Sequence, residues 1–181
     1  YKKEFIDEYL DEIFYSLLLE EYEFNKNKEI DYNYMLKKDY EITPEMRTMV
    51  IDWLFEVHQI FHFKEKSLFT TVQLMDKYLS KCSIKIEDFQ LLVLTSLNIA
   101  SKEEEVEYPI IDNFITVSGD SIIKEEMIMM ENKILKILDY KLITPSYFDF
   151  FEIFTKICKL NPIEISKGIY ILNIILLDVN M

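Results

Sequence analysis

The residues most able to carry out chemistry, the histidines and cysteines, do not occur at the spacing of a known site. His58 and His62 are four residues apart, so both rings would face one metal ion if they lay on a helix. No third ligand lies at motif spacing, and we therefore expect no metal site. Cys82 and Cys158 lie outside any Cys-x-x-Cys motif, and we expect two buried thiols without a disulfide.

The chain also lacks the glycines that phosphate-binding loops require. It contains 2 Gly and 4 Pro in 181 residues, and no Gly-x-Ser-x-Gly motif is present. We therefore expect neither enzyme activity nor a cofactor.

Four charged residues stand in otherwise apolar segments, namely Arg47, Asp76, Lys102 and Glu131. Burying an unpaired charge costs several kcal/mol. Such residues therefore pair with one another, serve a binding partner, or lie at a solvent-exposed helix edge. The sequence leaves these alternatives open.

Lys102 differs from the other three because a run of acids comes directly after it. It ends an apolar segment, and the next three residues are Glu103, Glu104 and Glu105. A lysine suits the C-terminal end of a helix dipole, whereas three acids oppose the same dipole. The pattern indicates either a functional site, where local rules are often broken, or a solvated run of charge.

Helix-start signals and apolar spacing divide the chain into helices. Thr43-Pro44 begins a helix in which apolar residues recur every three or four positions over residues 46–61. Over residues 89–100 no polar face remains, which predicts a helix buried on every side. Asn161-Pro162 begins the last helix, with Glu164 as its capping-box acid. The remaining expectations are a peripheral helix over residues 4–24, irregular chain over 32–42, a helix capped by Ser67, helices that begin at Pro109 and Thr144-Pro145, and a fifth helix carrying Met127, Met130, Ile134, Ile137 and Leu138.

Composition favours an all-α fold with a protein partner. Half of the residues are apolar, and the scarcity of Gly and Pro argues against the many tight turns of a sheet protein. Lys and Arg total 20 against 33 Asp and Glu, a net charge of −13 that repels the phosphates of nucleic acids and membranes. The most apolar run covers only residues 168–177, whereas a membrane span needs about 20 residues. We therefore expect no nucleic acid and no membrane as partner.

Three segments resemble the cyclin box. They read Met-Arg-Thr-Met-Val-Ile-Asp-Trp-Leu-Phe-Glu-Val at 46–57, Asp-Lys-Tyr-Leu-Ser at 76–80 and Ala-Ser-Lys-Glu-Glu at 100–104. They occur in the family's order, and residues 34–47 further resemble mitotic A/B-type cyclins. The resemblance implies an all-α, five-helix cyclin fold that follows an N-terminal helix and precedes a truncated second cyclin fold. Residues 1–42 would be the N-terminal helix and linker, 43–143 the first cyclin box, and 144–181 the start of an incomplete second box.

The resemblance implies a regulatory subunit that binds and activates a cyclin-dependent protein kinase in control of the cell cycle. Contacts to the kinase's regulatory helix, which carries a PSTAIRE-like sequence, would come from Lys102, Glu131, Glu103, Glu104, Tyr140 and Leu142. A hydrophobic patch that docks Arg-x-Leu motifs of substrates or inhibitors would consist of Met46, Met49, Val50, Trp53, Glu56, Phe89 and Gln90, with Glu56 taking the basic residue. Arg47 and Asp76 would form a buried salt bridge.

The sequence departs from the family pattern at the implied kinase contact. Glu103 replaces an aromatic residue, while Lys77 and Tyr78 replace Arg and Phe. An acid at position 103 would weaken apolar packing or select a kinase with a basic residue there. The alternatives within the same fold are a transcriptional cyclin and a transcription factor of the TFIIB kind, and the acidic charge disfavours the latter. A location in the nucleus and cytoplasm is expected.

The last helix carries apolar residues on nearly every side. We expect this chain to be a fragment of a longer two-box protein whose later helices cover that surface. Alone, the tail should fold back on the first box, associate with another copy, or be poorly ordered.

Overall fold

The computed structural model describes residues 9–27, 30–37 and 39–178, which contain eight α-helices, two short 3-10 helices and no strand. The all-α prediction is confirmed. The α-helices are α1 (Leu10–Lys26), α2 (Pro44–Phe61), α3 (Glu65–Lys81), α4 (Phe89–Glu104), α5 (Ile111–Val117), α6 (Lys124–Ile137), α7 (Tyr147–Ile157) and α8 (Pro162–Leu177). The 3-10 helices are Tyr32–Leu36 and Ile86–Asp88.

Helix α2 begins where the sequence predicts. The Thr43 hydroxyl accepts a hydrogen bond from the backbone N–H of Met46 at 3.3 Å, and Pro44 occupies the first turn. The helix ends because His62 adopts the left-handed conformation, with φ of 54°. Between these ends α2 is a rod about 27 Å long.

Helix α4 is the centre of the fold. Every residue from 91 to 101 is buried, and α4 contacts α2, α3, α5 and α6. The prediction of a helix buried on every side is confirmed. Two of its buried hydroxyls hydrogen-bond within the helix: Thr95 donates to the carbonyl of Leu91 at 2.7 Å, and Ser101 donates to the carbonyl of Asn98 at 2.9 Å.

Two predicted helix starts are displaced. Helix α3 begins at Glu65 rather than after Ser67, whose hydroxyl donates to Glu105 at 2.5 Å instead of capping its own helix. Helix α5 begins at Ile111, two residues beyond Pro109. At the start of α3 the carboxylate of Glu105, which follows α4, replaces a local cap. A pattern within a few residues of Ser67 cannot indicate a partner so far along the chain.

The start of α7 and the N-terminal region also differ from the sequence expectation. Ser146, not Thr144, caps α7, because Ser146 and Asp149 form a reciprocal capping box. The stretch expected to be irregular includes the 3-10 helix Tyr32–Leu36. The predicted first helix is present as α1 from residue 10, while residues 1–8 lie outside the described residues.

Helix α8 packs back onto the rest of the molecule. The Asn161 side chain accepts from the backbone N–H groups of Ile163 and Glu164, as the predicted capping box requires. The helix contacts α2 and α7, and Leu176 is buried. Of the three outcomes expected for the tail, the structure has the fold-back. Four large side chains nevertheless remain at least half exposed on its outer face: Ile163, Tyr170, Ile171 and Ile174.

The cysteines and histidines form no site in the described part of the chain. Both thiols are free; Cys82 is half-buried, but Cys158 is exposed after the end of α7, so the expectation of two buried thiols is wrong. His58 Nε2 lies 2.8 Å from the carbonyl oxygen of Lys64. Within residues 9–27, 30–37 and 39–178, no three metal-ligating side chains come together, and no helix has the length and apolar character to cross a membrane.

Candidate protein-binding surfaces

Lys102 and Glu131 come together at one edge of the fold. Lys102 lies in the last turn of α4 and Glu131 in the middle of α6, and Lys102 Nζ is 2.5 Å from Glu131 Oε1. Their side chains are 36% and 20% exposed. The pair therefore presents a cation and an anion side by side at the protein surface.

Tyr140 and Leu142 lie after α6 on the same chain segment. Tyr140 is 68% exposed and has a positive φ of 58°, whereas Leu142 is half-buried against the core. Buried Lys77 supports this segment, because its ammonium donates to the carbonyls of Lys141 and Leu142 at 3.4 Å. Lys102, Glu103, Glu131, Tyr140 and Leu142 are called the α4–α6 surface below.

The three acids after Lys102 have different environments. Glu103 is exposed. Glu104, predicted to contact the kinase, accepts from the Thr70 hydroxyl at 3.3 Å and pairs with Lys66 at 3.5 Å. Glu105 turns towards the start of α3. Glu104 and Glu105 therefore do not belong to a solvated run of charge, and their side chains are only 12% and 10% exposed.

Lys66 joins α4 to the second half of the chain. Its ammonium lies 3.5 Å from Glu104 and 3.1 Å from Asp149, the capping acid of α7. Partial burial of Lys66 opposes its charge, but the carboxylates of Asp149 and Glu104 outweigh that effect and raise the pKa of Lys66. Sequence reasoning missed Lys66, because its partners Glu104 and Asp149 lie 38 and 83 positions further along the chain.

A second surface runs along α2. Met49, Trp53 and Glu56 are spaced i, i+4 and i+7, so they share one helix face. Met49 is 66% exposed and Glu56 is exposed, whereas Trp53 is half-buried against the core. Met46 and Val50 are also half-buried and pack against the core. This arrangement is an apolar strip with a carboxylate at one end.

Phe89 and Gln90, the other two residues of the predicted patch, lie in the first turn of α4, a helix that packs on α2. Phe89 is buried and belongs to the core, while Gln90 is half-buried and its Oε1 accepts from the Ser121 hydroxyl at 3.4 Å. The α2 patch is defined as Met46, Met49, Val50, Trp53, Glu56, Phe89 and Gln90.

Arg47 of α2 and Asp76 of α3 form a buried bidentate ion pair. Arg47 Nε and Nη2 donate to the two Asp76 oxygens at 2.9 and 2.7 Å, and the side chains are 3% and 2% exposed. The Tyr34 hydroxyl donates to Asp76 at 3.0 Å. Burial, reinforced by the charge of Asp76, raises the pKa of Tyr34. Arg47 Nη1 also donates to the carbonyl of Leu176 at 2.9 Å, so one guanidinium joins α2, α3 and the end of α8.

Comparison with known proteins decides the family. Residues 12–143 match the family model described as "Cyclin, N-terminal domain". This chain belongs to the cyclin family. Every residue of the α4–α6 surface and of the α2 patch lies inside the matched region.

The relatives of this cyclin include mitotic and S-phase cyclins. The G2/mitotic-specific cyclin-B of Arbacia punctulata is 34% identical over 149 residues, which is 82% of this chain and 36% of the relative. The S-phase entry cyclin-5 of Saccharomyces cerevisiae is 33% identical over 143 residues, 78% of this chain and 33% of the relative. Cyclin-B2-2 of Arabidopsis thaliana is 33% identical over 121 residues, 67% of this chain and 28% of the relative. The chain spans about a third of the length of these relatives, and the predicted resemblance to mitotic-type cyclins is confirmed.

The two surfaces of this cyclin occupy opposite ends of α4. Phe89 and Gln90 lie in its first turn, and Lys102 lies in its last turn. Lys102 lies thirteen positions after Phe89 along the helix, a distance of about 20 Å. The surfaces are therefore far enough apart for two different partners.

Proposed function

We propose that this cyclin binds and activates a cyclin-dependent protein kinase through the α4–α6 surface and has no catalytic activity of its own. The observation that carries the proposal is the partly exposed pair of Lys102 and Glu131. An ammonium donates to backbone carbonyls and a carboxylate accepts from backbone N–H groups. Because the two side chains lie next to each other, together they can bind both the carbonyl and the N–H groups of the backbone around a partner's helix.

Binding at that helix accounts for activation without chemistry. A protein kinase transfers phosphate only when its Lys–Glu ion pair and activation loop are in place. A cyclin that binds more tightly to the state with the Glu-bearing helix inward shifts the kinase towards that state. The cyclin supplies differential affinity and no reacting group.

Glu103 gives the proposed interface a preference. It is exposed at the position where the family motif has an aromatic residue. A carboxylate there pairs with a basic residue and is costly to bury against an apolar one. The proposed partner is therefore a kinase with Lys or Arg opposite position 103, and Glu103→Phe should weaken binding to it.

The α2 patch is proposed to dock substrates or inhibitors that carry an Arg-x-Leu motif. The apolar strip with exposed Met49 suits the leucine, and the exposed carboxylate of Glu56 suits the arginine. A net charge of −13 favours basic partners in general. The nucleus and cytoplasm are proposed as the sites of action, which a fluorescent fusion of the full-length protein would test.

The kinase proposal is tested with single and paired variants at the α4–α6 surface. Truncating one member of a desolvated charge contact costs about 2–5 kcal/mol, so Lys102→Ala or Glu131→Ala should raise the Kd for a recombinant PSTAIRE-type kinase about 30-fold or more. Calorimetric titration measures the Kd. Lys156→Ala is the matched control, because Lys156 also pairs with a glutamate, at 3.3 Å, and is 37% exposed.

Exchanging the two charges separates a kinase contact from an internal ion pair. Lys102→Glu combined with Glu131→Lys keeps an ion pair within the cyclin but reverses the charge that each of the two positions presents to the kinase. We expect the exchanged variant to bind as poorly as the single variants. Full recovery of binding, or unchanged affinity in both alanine variants, contradicts the proposed interface.

A further inference from the structure

The first turn of α3 is capped by Glu105, the residue that directly follows α4. A helix start has free backbone N–H groups that need acceptors, and Lys64 at the cap position provides no side-chain acceptor. Glu105 Oε1 fills this role by accepting from the Lys64 N–H at 2.8 Å and the Ser67 hydroxyl at 2.5 Å. Its carboxylate also lies at the positive end of the α3 dipole.

The same contact stabilises the end of α4. Acidic side chains at a helix C-terminus oppose the dipole, and the last carbonyls of the helix lack partners. The Lys64 ammonium donates to the carbonyl of Glu104 and lies 3.7 Å from the Glu105 carboxylate. The end of α4 therefore supplies an acceptor for a free N–H at the start of α3, and the start of α3 supplies a donor for a free carbonyl at the end of α4.

Glu104 extends this anchor to α7. Its carboxylate pairs with Lys66, which also pairs with Asp149 in the first turn of α7. Asp149 is itself held by the Ser146 hydroxyl at 2.6 Å. One connected set of charges thus joins three helix ends.

Lys102 lies in the turn that these contacts hold. It precedes Glu104 by two residues, and the N–H of Glu105 closes the turn by donating to the carbonyl of Ser101 at 3.0 Å. We propose that Glu104 and Glu105 are positioning residues that hold Lys102 in register with Glu131 for kinase binding, rather than contacts to the kinase. This inference rests on the proposed function.

The test compares graded changes at position 105. Glu105→Ala removes both the acceptor and the charge, whereas Glu105→Gln keeps an amide oxygen for the Lys64 N–H. Loss of a helix cap corresponds to about a 2- to 30-fold change in an equilibrium constant, so we expect the Kd for the recombinant PSTAIRE-type kinase to rise about tenfold with alanine and less with glutamine. Glu87→Gln, which removes an exposed acid at the opposite end of α4, serves as control.

A double-mutant cycle distinguishes positioning from general stability. Lys102→Ala is measured in the native background and in the Glu105→Ala background, at a temperature well below the melting transition of each variant. Positioning predicts that Lys102→Ala costs at least threefold less when Glu105 is absent, because Lys102 has already lost its register.

Independent, multiplicative effects of the two substitutions overturn the positioning role, and so does an unchanged Kd in the Glu105 variants. If Lys102→Ala weakens binding but Glu105→Ala does not, the kinase interface stands and the positioning role fails. If Lys102→Ala has no effect, both proposals fail. Should Glu105→Ala not fold, Glu105→Gln carries the same cycle with a smaller expected effect.

Discussion

Replacing Asp76 with asparagine should strongly destabilise the fold. Asp76 receives three hydrogen bonds, two from Arg47 and one from Tyr34, and all three side chains are almost fully buried. An asparagine keeps the shape but loses the charge. Its amide nitrogen would also point a donor at one of those three donors.

The magnitude follows from the uncompensated guanidinium. Removing one partner of a buried ion pair costs about 3–5 kcal/mol, because the other charge stays buried and unpaired. For a protein of 150–250 residues each kcal/mol lowers Tm by about 2–4 °C. We therefore expect Asp76→Asn to lower Tm by about 6–20 °C, measured by circular dichroism at 222 nm and checked by urea unfolding.

Removing both charges together tests the reasoning. Arg47→Met combined with Asp76→Leu leaves no buried charge, so this double variant should be more stable than Asp76→Asn. It will not reach native stability, because the Tyr34 hydroxyl and the Leu176 carbonyl lose their partners. A loss below about 1 kcal/mol in Asp76→Asn, or a double variant less stable than Asp76→Asn, would refute the argument.

Three further predictions concern docking, helix packing and pH. Met49→Ala should weaken binding of an Arg-x-Leu peptide without changing Tm, because Met49 is 66% exposed. Trp53→Ala should lower both the peptide affinity and Tm, because Trp53 packs against the core, and an equal drop in Tm in the two variants would contradict this distinction. Gly168→Ala would place a Cβ 2.3 Å from the Phe151 ring, so overpacking of about 1–3 kcal/mol should exceed the helix-propensity gain of about 1 kcal/mol, and urea unfolding showing a gain would contradict that balance. Burial raises the pKa of Tyr34, so the neutral hydroxyl contributes stability below about pH 10 that is lost as the pH rises further. Burial also raises the pKa of Tyr32 and Tyr78, so absorbance at 295 nm should show a group of tyrosines that ionise only as the fold opens; Tyr34→Phe should reduce this late absorbance change by one tyrosine, and an unchanged late amplitude would contradict the prediction.

The helices and their main ends were predictable because their causes lie within a few residues. Thr43 and Asn161 cap helices through backbone N–H groups two to three positions ahead. The uninterrupted apolar run of α4 required burial on every side, wherever its neighbours came from. The ordered motifs at 46–57, 76–80 and 100–104 likewise identified the family and the candidate surfaces before any contact was known.

The identity of the partner groups came only from the tertiary structure. A run of three glutamates at 103–105 reads as one feature, yet one is exposed, one pairs with Lys66 and one caps α3. The Arg47 guanidinium meets a carbonyl 129 positions away. Hydrogen bonds and ion pairs act over a few ångströms in space, so which polar groups meet depends on how the helices pack. Local periodicity and capping therefore define the elements of this cyclin, and packing decides which charges hold it together and which remain free for a partner.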